Sequence, residues 1–295
     1  MKAALLPDRG VIKVAGSDAR SFLNGLLTTD MTQVAPARPR FAALLTPQGK
    51  IIADFIVAEA PAEDGGGFFL DGPRALAGEL VQKLNFYKLR AKLAVEDLSE
   101  ALGVLAVWGG TASTEYGLVY PDPRLPALGW RVMLPPHLAK DAAADLNAEL
   151  VETSAYEAHR IALGVPRGGL DFVYGDAFPH EADMDQLGGI DFDKGCYVGQ
   201  EVVSRIEHRG TARNRVVPVT AEHHTPEAGL PVMAGDRPVG TTGSHAGAQG
   251  LAMLRLDRVA EALAAGTPLM AGGIALSPRK PEWARFQWPG DKTVG

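Results

Sequence analysis

The side chain best suited to chemistry is a thiol in the run Lys194-Gly195-Cys196-Tyr197-Val198-Gly199-Gln200-Glu201, and it is the only cysteine in the chain. A thiolate attacks electrophiles or ligates metal, and nearby cations favour it over the thiol. Lys194, Arg205, His208 and Arg209 supply such cations close in sequence. Gly195 and Gly199 bracket the cysteine, as expected for a tight turn or the close approach of another group. Gln200 and Glu201 add polar groups, and Glu201 stands four residues before Arg205, the spacing of a solvated helical ion pair. A free cysteine is also among the most commonly buried small residues. The residues alone therefore leave a structural and a working thiol both open.

Other polar groups offer less. Asp54 interrupts the apolar run Ile51-Ile52-Ala53-Asp54-Phe55-Ile56-Val57, so its carboxylate faces either solvent or a site. The run Arg205, His208, Arg209, Arg213, Arg215 has one acid, Glu207, among its cations. It could hold an anionic ligand tail, a phosphate or RNA, or be a solvated face. The histidines show no His-x-x-x-His pair, and His223-His224 would point to opposite faces of a strand. No metal site is expected. Gly168-Gly169 and Gly188-Gly189 lack the strand-then-helix setting of a dinucleotide loop.

Several elements must position these residues. Val11 to Val14 reads as a strand, and Ser17 is the expected N-cap of a helix carrying Phe22, Leu23, Leu26 and Leu27. Gly25 inside that helix suggests close packing or a nearby ligand. Phe41 to Leu45 and Ile51 to Ala58 flank Pro47-Gln48-Gly49-Lys50 as a hairpin. Pro73 opens an amphipathic helix through Leu84. Strands are expected at 91–96, 102–108 and 130–134, and helices at 135–146 and 152–163. The stretch 164–181 has little periodicity. Short strand candidates at 216–220, 230–234, 237–244, 250–256 and 272–276 then suggest a small barrel or sandwich after a boundary near Gly210. This mixture reads as α+β rather than doubly wound.

Composition sets outer bounds. The length of 295 residues gives about two domains. A net charge of −6 argues against direct nucleic-acid binding. One cysteine excludes an internal disulfide and fits a reducing compartment. Met1 to Val14 lacks the apolar core of a signal peptide, and no long apolar run reaches a membrane span. These features point to a cytoplasmic protein without a membrane partner.

The octapeptide Lys194 to Glu201 resembles the signature of the YgfZ-type folate-binding proteins. These are relatives of the glycine-cleavage T-protein (aminomethyltransferase) and include a mitochondrial iron–sulfur assembly factor. Phe22-Leu23-Asn24-Gly25 through Thr29-Asp30, Leu44 to Lys50 and Leu187-Gly188-Gly189-Ile190 resemble further parts of that family. The resemblance implies an α+β fold with a T-protein-like three-lobe arrangement around a central channel. Two ferredoxin-like lobes, roughly 1–45 with 150–210 and 46–149, would form the folate-binding region, and a small β-barrel would span 211–295.

It also implies tetrahydrofolate or a derivative as cofactor, with Asp54, Asn24, Glu181 and Arg205 as its binding residues. Cys196 would be the functional thiol, with Lys194, Tyr197, Gln200 and Glu201 as the other catalytic residues. The chain departs from T-proteins where it reads Ala53-Asp54 in place of paired aspartates, and at Ala162 in place of a glutamate. Losing carboxylates removes acid and base groups that one-carbon chemistry would use. The implied role is an accessory factor with thiol chemistry in iron–sulfur cluster assembly or repair, tRNA-modifying enzymes among its clients. A tetrahydrofolate-dependent aminomethyltransferase is the alternative. One thiolate is too few to hold a cluster, so a cluster would be transient or shared with an assembly protein or client enzyme.

Overall fold

The computed structural model describes residues 1–210 and 212–289. The chain divides into two compact units. The first comprises Met1–Tyr156 and Leu187–Gln200, and the second Glu157–Gln186 and everything from Glu201 onward. The ends of the expected barrel, at 211 and 295, lie outside the described residues.

In the first unit the chain runs β1 (Lys2–Leu6), β2 (Arg9–Ala15), α1 (Ala19–Leu26), β3 (Arg40–Leu45), β4 (Ile51–Glu59), β5 (Phe68–Pro73) and α2 (Ala77–Lys88). It continues through β6 (Ala94–Asp97), β7 (Gly103–Trp108), β8 (Leu118–Pro121), β9 (Trp130–Leu134), α3 (Ala139–Asp145) and β10 (Glu149–Leu150). The helix α4 (Thr153–Leu163) follows. One sheet has the order β3-β4-β5-β2-β6, and the other β10-β1-β7-β9-β8. The first is antiparallel throughout. The second is antiparallel except where β1 meets β10. Thus β1 and β2, separated by Pro7 and Asp8 alone, belong to different sheets.

Each sheet buries one face under helices. Leu23 of α1 and Leu80 and Leu84 of α2 pack with Leu44, Phe55 and Leu70. Ala139, Ala142 and Ala143 of α3 pack with Leu105, Val107, Val132 and Leu134. The expected hairpin is present, with Arg40 to Leu45 pairing back onto β4. Its return strand is buried along nearly its whole length, which is why the sequence shows a continuous apolar run there instead of alternation.

Two local expectations are corrected, and one open question is decided. Asp18, not Ser17, occupies the N-cap of α1 and makes no side-chain cap bond. Its carboxylate instead accepts from the Lys92 amide at 2.8 Å. A Cβ on Gly25 would meet nothing within 4 Å, so close packing does not explain that glycine. Asp54 is 6% exposed, so it does not face solvent.

A buried charge network ties the two sheets of this unit together. The Asp71 carboxylate of β5 accepts from Arg9 Nε of β2 at 2.7 Å, from Arg131 Nη1 of β9 at 2.6 Å and from the Tyr120 hydroxyl of β8 at 3.1 Å. Arg131 also donates through Nε to Asp122 at 3.0 Å, and Asp122 takes a two-point contact from Arg124. Burial pushes the Asp71 carboxyl up, but Arg131 and Arg9 outweigh it and hold it below its ordinary value. Such a network fixes geometry because removing one member strands the others in low dielectric.

The second unit contains α5 (Gln200–Arg209) from Glu201 onward, β11 (Asn214–Thr220), β12 (Pro231–Ala234), β13 (Arg237–Ala246), β14 (Gln249–Arg255), α6 (Leu256–Ala264), β15 (Leu269–Ala271) and β16 (Ile274–Pro278). Its strands close into a barrel of order β11-β14-β13-β12-β15-β16. Val217, Val219, Val232 and Leu254 fill it, with Val259 of α6 packed alongside. Gly and Pro punctuation marks the barrel strands in the sequence, and even the three-residue β15, too short to show alternation, is bracketed by Pro268 and Gly272. The fold is α+β with a closed C-terminal barrel. No helix among the described residues is long and apolar enough to cross a membrane.

Replacing Asp71 by Asn leaves two buried guanidinium groups without their shared charge. Urea unfolding of Asp71→Asn should show a loss of about 3–5 kcal/mol. A loss under about 1 kcal/mol, the range of exposed pairs, would show that the network does not hold the sheets.

Candidate functional site

The segment Leu187–Gln200 belongs to the first unit and is stitched to the turn that follows α1. The Thr28 hydroxyl donates to the Gly189 carbonyl at 2.6 Å. The Asp191 amide donates to the Thr28 carbonyl at 2.9 Å. Gln33 Nε2 donates to Asp191 Oδ2 at 2.8 Å. Asp30 caps its own short turn by accepting from the Thr32 amide at 2.9 Å.

Lys194 is the main fastening. Its Nζ donates to the carbonyls of Asn24, Leu27 and Thr29 at 2.7, 2.6 and 2.7 Å. An ammonium has three donors, and here each finds an acceptor. The acceptors lie at or just past the C-terminus of α1, where orphan carbonyls and the helix dipole favour a cation. Burial pulls the Lys194 ammonium down to about 8, against the attraction of Asp30 and Asp191. It therefore remains charged at neutral pH. Its Nζ also lies 5.2 Å from the centre of the Tyr197 ring.

The other flank of the cysteine is fixed by packing. Tyr197 is 7% exposed, and Val198 packs against the core under α1 and α2. Burial pushes the Tyr197 hydroxyl up to about 12, and that hydroxyl has no hydrogen-bond partner among the described residues. Gly199 has φ +82°, and a Cβ there would lie 2.6 Å from the Thr46 carbonyl and 3.0 Å from Gly49 Cα. That glycine lets the segment press against the β3–β4 turn. Gly195 is different, since a Cβ on it would meet nothing within 4 Å. Between these two flanks the Cys196 thiol is exposed to solvent. The arrangement is a fixed mount carrying an accessible thiol.

The remaining expected site residues are mostly spent on structure. Asn24 Oδ1 accepts from the Met31 amide at 2.9 Å, and its carbonyl takes Lys194. Gln200 opens α5, its amide donating to the Tyr197 carbonyl at 3.3 Å. Glu201 and Arg205 form the solvated pair their spacing suggests, at 2.7 Å on an exposed face. Glu181, in the second unit, accepts from the Phe178 amide and from Asn214 Nδ2, both at 2.8 Å. Asp54 is buried on β4 and adds a favourable charge to Arg9.

The basic run is not one surface. Arg215 is 5% exposed and binds Asp185 and the His180 carbonyl. Sequence reading missed the lysine's anchoring role and the partners Thr28 and Asp191. They lie more than 160 residues apart along the chain, so no local signal could show them.

Gly199→Ala should cost more than about 2 kcal/mol in urea unfolding, because a left-handed backbone and a backbone clash both oppose the methyl. Gly195→Ala should stay within about 0.5 kcal/mol of the parent. Equal effects would refute the packed role of Gly199.

Comparisons with known proteins agree with this architecture. Residues 8–115 match the GCVT N-terminal domain, and residues 213–286 match the C-terminal beta-barrel domain of CAF17. The aminomethyltransferase T of the glycine cleavage system from Bartonella henselae has a similar fold, with a TM-score of 0.75 over 97% of this chain and 87% of that one. Its sequence identity is 17%, so the likeness is one of fold alone.

Relatives named mitochondrial iron–sulfur cluster assembly factor IBA57 occur in Mus musculus and Homo sapiens. Each is 30% identical over 96% of this chain and 84% of its own length. A homologue in Mycosarcoma maydis is 34% identical over 74% of this chain, which spans 57% of that longer protein. The expected cytoplasmic location is corrected by these relatives, which carry the word mitochondrial in their names. A single cysteine bears on oxidising versus reducing settings, and it does not tell one reducing compartment from another. Nor is the kinship specifically with YgfZ: the barrel model and the relatives place this chain in the IBA57 family of the CAF17 group.

Proposed function

We propose that this protein supports iron–sulfur cluster assembly and that Cys196 is its working group. The observation behind this reading is the thiol itself, exposed to solvent between two immobilised flanks. A thiol needed for packing would be buried. One needed for reaction must be reachable, and holding the backbone on either side lowers the ordering cost of each encounter. The names of the relatives supply the substrate class, an iron–sulfur cluster or its iron. Ligation takes the thiolate, so the thiol proton leaves as the metal binds. A single thiolate fills one position, and the others come from a partner assembly protein or client enzyme. The relatives' names point to mitochondria as the setting, and tRNA-modifying enzymes stand among the clients we propose.

Folate enters this reading through the family of residues 8–115. The expected binding residues do not fit it as a set. Asn24, Glu181 and Arg205 have their side-chain groups engaged within their own units. Asp54, buried on β4, lies in the field of Arg9. No chemical step is assigned to folate.

Cys196→Ala, expressed in cells lacking their own homologue, should leave iron–sulfur enzyme activity at the level of the empty vector. Its soluble yield and thermal unfolding midpoint should match the parent, since the exposed thiol makes little packing contact. Full restoration of activity would refute an essential thiol.

A further inference from the structure

A second polar cluster lies in the other unit and has no part in the reading above. His180 and Asp185 come from the turn-rich stretch before Leu187, and Glu207 comes from α5. One ligand atom from each lies within 4.8 Å of the other two. His180 Nε2 stands 2.9 Å from Glu207 Oε2, with the imidazole buried and the carboxylate half-exposed. These residues open onto a cavity of about 610 Å³.

Arg215 is the cation that contacts this cluster. Arg215 donates through Nη1 and Nη2 to the two oxygens of Asp185, at 2.5 and 2.9 Å. The same Nη1 lies 3.2 Å from Asp183 Oδ1. One guanidinium thus serves Asp183 and Asp185, while Glu207 pairs with His180. Asp183 is fully buried, and its Oδ2 has no hydrogen-bond partner among the described residues. A buried carboxylate oxygen left unpaired is rare and costly. A structural His–Glu pair beside an Arg–Asp pair accounts for the contacts. It does not account for that oxygen.

We propose that His180, Asp185 and Glu207 bind a divalent transition-metal ion of the zinc class. One imidazole nitrogen with two carboxylates is a donor set that suits such an ion. Asp185 keeps lone pairs for a metal while Arg215 grips it, because each carboxylate oxygen accepts more than one contact. Arg215 then acts as the outer-shell partner that orients the ligand. Arg213 and Arg285 also line the cavity, so the remaining coordination positions face a space that admits water or an anion. This site belongs to the other unit from Cys196, and the proposal does not depend on the role of that thiol.

The test is zinc binding by the chelator-stripped full-length protein, titrated against a chromophoric competitor at neutral pH. The parent and Cys196→Ala should bind a single equivalent with the same affinity. His180→Ala and Glu207→Gln should each weaken binding by at least about tenfold, a loss seen even for outer-shell partners. Glu207 is half-exposed on a helix, so Glu207→Gln should keep the parent's circular dichroism and isolates ligation from folding. No zinc uptake by the parent, loss of uptake in Cys196→Ala, or parental affinity in Glu207→Gln would overturn the proposal.

Discussion

The Lys194 ammonium, held by three backbone carbonyls, is the interaction on which the cysteine segment depends. The segment returns to the first unit after a long excursion through residues 157–186. Little in its own sequence would fix where it lands. The end of α1 offers carbonyls that need donors, and the lysine supplies all three. A hydrogen bond to a charged group contributes about 1.5–3 kcal/mol, and an unpaired buried acceptor costs about 1–3 kcal/mol. The lysine therefore caps the helix and sets the register of the turn carrying Cys196 together. Thr28, Asp191 and Gln33 reinforce the same seam.

The two halves of the signature do different physical work. Lys194, Tyr197, Val198 and Gly199 are tied into the protein by charge, burial or close backbone contact. Cys196 is left outside. Fixing the backbone while exposing the side chain is a poor use of a cysteine for stability and a good use of one for ligation. The Asp71 network plays the matching part for the scaffold, joining the sheet that carries α1 and the hairpin to the second sheet of the unit.

Much of this was legible in the sequence, and the gaps have physical causes. Helical periodicity revealed α1 and α2, turn residues between two apolar runs revealed the β3–β4 hairpin, and Gly and Pro punctuation revealed the barrel. The signature itself pointed to Cys196. Asp54 was ambiguous because an acid in an apolar strand can face either way, and burial decided it. Glu201 and Arg205 formed the surface pair their spacing allowed. Asn24 and Arg215 looked like ligand donors because polar residue types do not reveal that their atoms are already paired at long range. The His180, Asp185 and Glu207 cluster was invisible for the same reason, being built from a turn and a helix that spacing rules do not connect.

Amide hydrogen exchange in Lys194→Met tests the mount most directly. The methionine keeps the apolar stem and removes the ammonium, leaving three carbonyls without their donor. With about 1–3 kcal/mol lost locally, exchange at Thr28 and Asp191 should quicken by roughly tenfold or more, while amides of β4 and β5 keep their parental rates. Unchanged protection at Thr28 and Asp191 would contradict the account, because the cysteine segment would then be held by something other than its lysine.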